Sequence, residues 1–208
     1  LARATAAGRL EPEITATGRD PMRAKIAGFA LGTARGEAAY VPVSHHYLGA
    51  PPQLAEADVL ARIAPLLASP SVEKIGHDLK QLDVLLRRRG VALAGPRFDT
   101  MLASYVLDPE ADNGVVAVAE REAGLRLLRF EEVAPKQRGK QQLSPDQLSI
   151  EDATRWAAPH VDAAIAARDA MLPRLEAAEL RGVIVDLELP LSVVLADMEE
   201  RGVLVDER

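Results

Sequence analysis

A chain of 208 residues with 48% apolar residues can bury a sizeable core, and its length suits one large domain or one domain plus a fragment of another. The absence of cysteine excludes a disulfide framework, a thiolate zinc site and a cysteine nucleophile, and fits a reducing, cytoplasmic setting. A net charge of -6 makes the chain a poor unaided phosphate binder, although bound metal ions can reverse the local charge of an acidic nuclease.

Residues 10 to 17 and 25 to 31 read as short strands around the polar turn "GRDPM", and 38 to 43 read as a third, so an antiparallel opening is expected. After the loop "SHHYLGAPP", residues 55 to 68 place Val59, Leu60, Ile63, Leu66 and Leu67 at helical spacing. "SVEKIGHD" offers a brief strand entering a helix over 79 to 88, which Gly90 is placed to end in a left-handed conformation. "VALAGPRFDT" reads as strand and turn, 101 to 107 and 115 to 124 as short helices, and "APKQRGKQQLSPDQ" as a loop carrying several cations. Ser149 followed by Asp152 has the form of a helix start, and the helix should run on through "AAIAARDAMLPRLEAAE", bending or restarting near Pro159. The last stretch, "LELPLSVVLADMEERGVLVDER", begins a fresh amphipathic helix with a glycine stop and reads as the entrance to another domain. Strands first and helices afterwards indicate an α/β domain with a mixed sheet. A first residue Leu1, with no leader and no apolar run of spanning length, reads as a soluble piece of something longer, with no membrane partner.

Five segments in order, "KIGHDLKQLDVL" (74 to 85), "FDTMLASYVLDP" (98 to 109), "FEEV" (130 to 133), "EDATRWAA" (151 to 158) and "PLSVVLADMEERGVLVD" (190 to 206), carry a family resemblance. In them the chain resembles the bacterial DNA polymerase I family, the family A polymerases, over the proofreading-type 3'-5' exonuclease domain. The resemblance implies a ribonuclease H-like fold, a central mixed β-sheet flanked by α-helices. It also implies an exonuclease-like domain over 1 to 185 and the start of a polymerase domain over 186 to 208. Active members of the family hold two divalent metal ions with four carboxylates and a tyrosine, one metal activating water and the other stabilising the leaving oxygen.

Carried over position by position, the resemblance implies degenerate chemistry. The Asp-x-Glu pair of a strand falls on Glu13 and Thr15, and a neutral hydroxyl is a poor magnesium ligand. If "EPEITA" is shifted, Glu11 and Glu13 become the acidic pair instead. The aspartate of the helical Asn-Leu-Lys-Tyr-Asp run falls on Leu82; Asp83 follows it, about 100° round the helix, and reads as a solvated surface charge. The Tyr-x-x-x-Asp motif falls on Trp156 and His160, an indole that only donates and an imidazole that magnesium disfavours. Asp162 lies on a different helix face from His160.

Elsewhere Asp99 reads as a turn or capping acid, His45 and His46 as loop residues short of a zinc site, and Arg87, Arg88 and Arg89 as a solvated cationic face at a helix end. Lys136, Arg138 and Lys140 form the one loop with cations that could touch a DNA backbone. The expected function is an exonuclease-like domain that lacks 3'-5' exonuclease activity, needs no cofactor and serves as a platform for the polymerase, meeting DNA through that parent and the polymerase domain by intramolecular contact. Two alternatives stand beside it: an active exonuclease using magnesium or manganese at an altered site built from Glu13, Asp83, His160 and Asp162, and a single-stranded-DNA-binding module.

Overall fold

The computed structural model describes residues 1–95, 97–134, 136 and 142–204. A short helix α1 (Ala2–Ala7), which no sequence pattern announced, leads through the left-handed Gly8 into β1 (Arg9–Ala16). β2 (Ile26–Gly32) and β3 (Ala39–Pro42) follow, then α2 (Glu56–Leu67), β4 (Glu73–Gly76), α3 (Leu79–Arg87) and β5 (Arg97–Asp99). The rest is helical: α4 (Thr100–Leu107), α5 (Val115–Ala123), α6 (Phe130–Val133), α7 (Ile150–Ala177) and α8 (Leu189–Arg201). The sheet order is β3-β2-β1-β4-β5, antiparallel on the β1, β2, β3 side and parallel from β1 through β4 to β5. This is a mixed sheet flanked by helices, the architecture the family resemblance implies.

Alternation along the strands sorts the two faces. Leu10 and Ile14 of β1 and Phe29 and Leu31 of β2 pack with Val59, Ile63, Leu79 and Leu82 from α2 and α3. The opposite face of β2 carries only Gly28, Ala30 and Gly32, and there α7 lies on the sheet through Ala157, Val161 and Ile165. A Cβ on Gly32 would sit 2.4 Å from Val161 Cγ1, so the missing side chain is what lets α7 approach. Farther along, α7 buries Ala164, Ala167, Met171 and Leu175 against Ile75, Phe98 and Ala103.

Several local expectations change. α7 runs without interruption from Ile150 to Ala177, through Pro159 and Pro173. Proline removes one intrahelical bond, here to the carbonyl of Arg155 on the exposed side, and burial of the opposite face holds the helix together. Asp83 is not a solvated charge: it is 2% exposed and accepts from Arg87 Nη2 at 3.0 Å, with Arg97 Nη1 3.8 Å away. The arginine run is likewise not a free surface, since Arg87 also pairs with Asp197, Arg89 with Glu56, and Arg88 Nη1 donates to Pro21 O at 3.1 Å. The strand in "VALAGPRFDT" is confined to its last residues, while Ala94 N donates to Leu67 O from the preceding irregular stretch. The glycine stop of α8 is Gly202, but a π-helical turn, Val183–Glu188, precedes the helix. Leu189, Ser192 and Ala196 of α8 are buried. Among the described residues no helix is long and apolar enough to cross a membrane.

Candidate functional site

One face of β1 presents Glu11, Glu13 and Thr15, registered opposite Gly32, Ala30 and Gly28 of β2. α7 brings His160 above this row, and its Nδ1 lies 3.6 Å from Glu13 Oε1. His160 is buried, and its Nε2 has no hydrogen-bond partner among the described residues. Trp156, one turn earlier, meets the His160 ring edge-on at 5.2 Å and the Phe130 ring edge-on at 5.1 Å. The indole is thus packed between α6 and the histidine.

Thr15 is fully buried and its Oγ1 makes no well-formed hydrogen bond among the described residues. Beside it stands Tyr40, whose ring lies over Gly28; a Cβ there would be 2.3 Å from the phenol oxygen. The Tyr40 hydroxyl is 2.8 Å from His45 Nε2, and His45 Nδ1 is 3.0 Å from Leu148 O, which fixes the tautomer with Nδ1 as donor to the carbonyl and Nε2 as acceptor from the phenol. Burial pushes the phenol up to about 12, moderated by its contact with Thr15. His45 is therefore a buried structural residue, while His46 remains at the loop surface with Nδ1 3.4 Å from Asp146 Oδ2.

α3 supplies the opposite wall. Asp78, its N-cap, adopts a left-handed backbone conformation at φ 56 and accepts from Gln81 N at 3.2 Å. That conformation is one that Asp and Asn tolerate better than other side chains. Leu82 then turns into a cleft of about 570 Å³ shared with Glu13, His77, Trp156 and His160, while Asp83 points away to Arg87 and Arg97. Asp99 anchors the corner: besides capping α4 through Met101 N and Leu102 N, it accepts from Asp78 N at 3.2 Å and Leu79 N at 2.7 Å. Its role as a capping acid extends across two helix starts.

His77 sits between these elements. Thr100 Oγ1 donates to Gly76 O at 3.1 Å, so the 3.0 Å contact between His77 Nδ1 and Thr100 Oγ1 has the imidazole as donor. Burial, with a smaller contribution from His160, pulls His77 down to about 4. Glu11 is pushed well above the ordinary glutamate range, first by burial and then by Glu13 and Asp162. Asp162 itself accepts from Gly36 N at 2.8 Å and so ties α7 to the loop after β2.

The donor set does not fit a pair of magnesium ions. Glu13 is the one acidic side chain among the five positions the resemblance implies; Thr15 and Leu82 offer no carboxylate, and His160 is an imidazole. Asp83 and Asp162, the remaining metal candidates, are held by Arg87 and by Gly36. Among the described residues, no three His, Asp or Glu side chains are grouped as metal ligands. Lys136 is exposed, while Arg138 and Lys140 lie outside the described residues. Sequence reasoning passed over His77, Tyr40 and the buried depth of Glu11. The apolar neighbours Ile75 and Gly76 were the signal that could have placed His77 inside.

Residues 13–151 match the family model of the ribonuclease H-like domain of DNA polymerase I. DNA polymerase I of Pseudomonas aeruginosa is 40% identical over 194 residues, covering 91% of this chain and 21% of that protein. DNA polymerase I of Rhizobium leguminosarum is 35% identical over 226 residues, covering 100% and 22%. The chain therefore spans about a fifth of the length of these curated relatives. Among solved structures, the POL domain of Pol1 from M. smegmatis, in complex with DNA primer-template and dNTP, superposes with a TM-score of 0.73 at 22% identity, over 99% of this chain and 31% of that one. A Brucella melitensis NrnC structure with bound Mg2+ reaches a TM-score of 0.59 at 16% identity, over 93% and 82%. Both establish the fold.

Proposed function

The chain belongs to the ribonuclease H-like domain family of DNA polymerase I, and from that premise we propose that it is an exonuclease-like domain whose 3'-5' nuclease chemistry is lost while its role as a platform for the polymerase is kept. The observation that carries this reading is the pair His160 and Glu13: an imidazole stands 3.6 Å from the one carboxylate left among the family's ligand positions. Two dications about 4 Å apart repel by about 16 kcal/mol at an effective dielectric of about 20, so a two-metal site needs several carboxylates around it. Thr15, Leu82 and His160 supply none, and the other acids that line the cleft, Asp78 and Glu131, stand at the N-cap of α3 and on α6, away from the family's ligand positions.

The altered-site alternative needs Asp83 and Asp162 to join Glu13, and their engagement with Arg87 and Gly36 speaks against it. On our reading no metal is required, and the domain meets DNA only through its parent. The proposal also assigns residues 186 to 208 to the beginning of the polymerase domain. In its support, α8 leaves Leu191, Val194, Leu195 and Met198 exposed at i, i+3, i+4 and i+7, an apolar stripe of the kind a neighbouring domain covers.

The test is a 5'-labelled single-stranded primer incubated with the chain and magnesium or manganese. No shortening is expected with either metal. Metal-dependent shortening that disappears in Glu13→Ala would overturn the reading, and metal-independent retention of the strand at physiological salt would favour a binding module.

A further inference from the structure

The charged groups lining the cleft of about 570 Å³ are mostly acids: Glu13, Asp78 and Glu131, against one guanidinium, the exposed Arg19. Among the described residues none of the three carboxylates pairs with a lysine or an arginine. Glu13 has only the imidazole of His160 at 3.6 Å, and Asp78 accepts from Gln81 N through Oδ1 alone. Lys80, two residues after Asp78, is taken by Glu199. Burial holds the Asp78 carboxyl above its ordinary range, and Glu199 and Glu13 push it further up, so Glu13 and Asp78 stand close enough to repel each other.

Two imidazoles add acceptors to the same cleft. His160 is 6% exposed and its Nε2 has no partner among the described residues. Its Nδ1 faces the Glu13 carboxylate, which places the ring proton there and leaves Nε2 with its lone pair. His77 donates from Nδ1 to Thr100 Oγ1 and, neutral because burial pulls it down to about 4, also keeps a lone pair on Nε2. A buried acceptor without a donor costs about 1 to 3 kcal/mol, so a ligand that brings N–H groups is favoured here. The remaining walls are apolar, with Leu79, Leu82, Leu85 and Met101 on one side and Phe130 and Trp156 on another.

From these acceptors and walls, we propose that the cleft binds a linear aliphatic polyamine, with ammonium groups on Glu13 and Asp78, N–H donors to the free imidazole nitrogens, and methylenes along Leu79, Leu82 and Leu85. The inference rests on the proposed loss of nuclease chemistry, which leaves Glu13 without a metal pair. A single ion must sit about 2 Å from every ligand, and among the described residues no three acids or histidines are grouped for that. Ammonium groups reach acceptors at about 2.8 to 3 Å, and several on one chain serve acceptors that no single ion spans. Three carboxylates against one guanidinium disfavour a phosphate, and the aromatic rings attract a cation.

Trp156, the single tryptophan of the chain, lines the cleft and reports on it directly. Spermidine and cadaverine are titrated into the chain in EDTA at neutral pH and constant ionic strength, with pentylamine and pentanediol alongside. Indole emission and calorimetric heat are both recorded, so an optically silent complex is still seen. Saturable binding of spermidine and cadaverine is expected, about tenfold weaker for pentylamine and absent for pentanediol. Glu13→Gln and Asp78→Asn should each weaken spermidine by about tenfold; asparagine keeps the N-cap of α3, so that variant is decisive even if the first folds poorly. No saturation in either signal, equal binding of pentanediol, or spermidine affinity unchanged in Asp78→Asn would overturn the proposal. Because the titration excludes metal, its failure is distinct from that of the proposed loss of chemistry, which metal-dependent primer shortening reads.

Discussion

Nδ1 of His160 lies 3.6 Å from Oε1 of Glu13, and both side chains are largely withdrawn from water, at 7% and 25% exposure. The imidazole also rests on Trp156, so one residue joins α7 to β1 and fills the end of the cleft. Replacing it by alanine removes a polar partner of Glu13 and leaves a void beside the indole. His160→Ala should cost about 2 to 4 kcal/mol in urea unfolding at neutral pH, with the denaturant slope unchanged. His160→Gln, which keeps a donor near Glu13, should cost about half as much; an Ala variant as stable as the parent would show that the contact contributes nothing.

Asp83 is the more severe deletion. It is buried between Arg87 and Arg97, and removing it leaves Arg97 without a carboxylate among the described residues. Breaking a buried pair from one side costs about 3 to 5 kcal/mol, so Asp83→Ala should lose about that amount. Asp197, which also pairs with Arg87, is 47% exposed, and Asp197→Ala should cost under about 1 kcal/mol. Equal losses in thermal or urea unfolding would contradict this ordering.

The contrast between Leu82 and Asp83 shows what the sequence could and could not reveal. Helical geometry separated the two side chains correctly, because adjacent residues diverge by about 100° whatever surrounds them. It could not show that Asp83 turns toward β5 and α8, since Arg97 and Asp197 are far away in the chain and no local period encodes them. The β1, β2, β3 opening and the main helices were legible from alternation and apolar spacing. The helix does not restart at Pro159, because the local penalty of the proline is set against the burial of Ala153, Ala157 and Val161, a tertiary effect. The depth of Glu11 and His77 was hidden for the same reason: charge and polarity suggest surface, and packing decides otherwise.

His77 supplies a pH signature. Its folded value of about 4 lies below the ordinary histidine value of 6.5, so the unfolded chain binds more protons between these limits and stability rises with pH through that window. At about 1.4 kcal/mol per unit, His77 alone should withdraw about 3 kcal/mol as pH falls from 7 to 4. Other buried groups titrate there too, Glu11 with the opposite sign. The check is therefore the difference in unfolding free energy between the parent and His77→Gln across the window. A difference independent of pH would mean that His77 carries its proton as readily in the fold as outside it.

Tyr40 and Gly28 form a coupled pair. A methyl group at position 28 would meet the phenol oxygen at 2.3 Å, and Tyr40 is held by its contact with His45 Nε2 at 2.8 Å. Gly28→Ala should therefore destabilise by about 1 to 3 kcal/mol, the usual range for overpacking. In a Tyr40→Ala background the same methyl group has open space, and the penalty should largely vanish. A double-mutant cycle from urea melts measures the coupling, and simple additivity would place the strain elsewhere.

Restoring the family's ligand types offers the most direct probe of the proposed loss of nuclease chemistry. The variant carrying Thr15→Glu, Leu82→Asp and His160→Asp adds carboxylates to a cleft that already holds Glu13 and lies beside the buried Glu11. Without metal, like-charge repulsion and desolvation should lower its melting midpoint below that of the parent. Manganese should reverse the deficit, because a ligand that binds only the folded state at about a hundredfold excess over its Kd contributes about 2.7 kcal/mol. For a chain of this size that is a rise of roughly 5 to 10 °C. The parent, with Thr15, Leu82 and His160 in place, should show no comparable rise under the same titration. An equal rise in the parent would mean that Glu13 and His160 already bind the ion, and would remove the ligand argument for the proposed loss of chemistry.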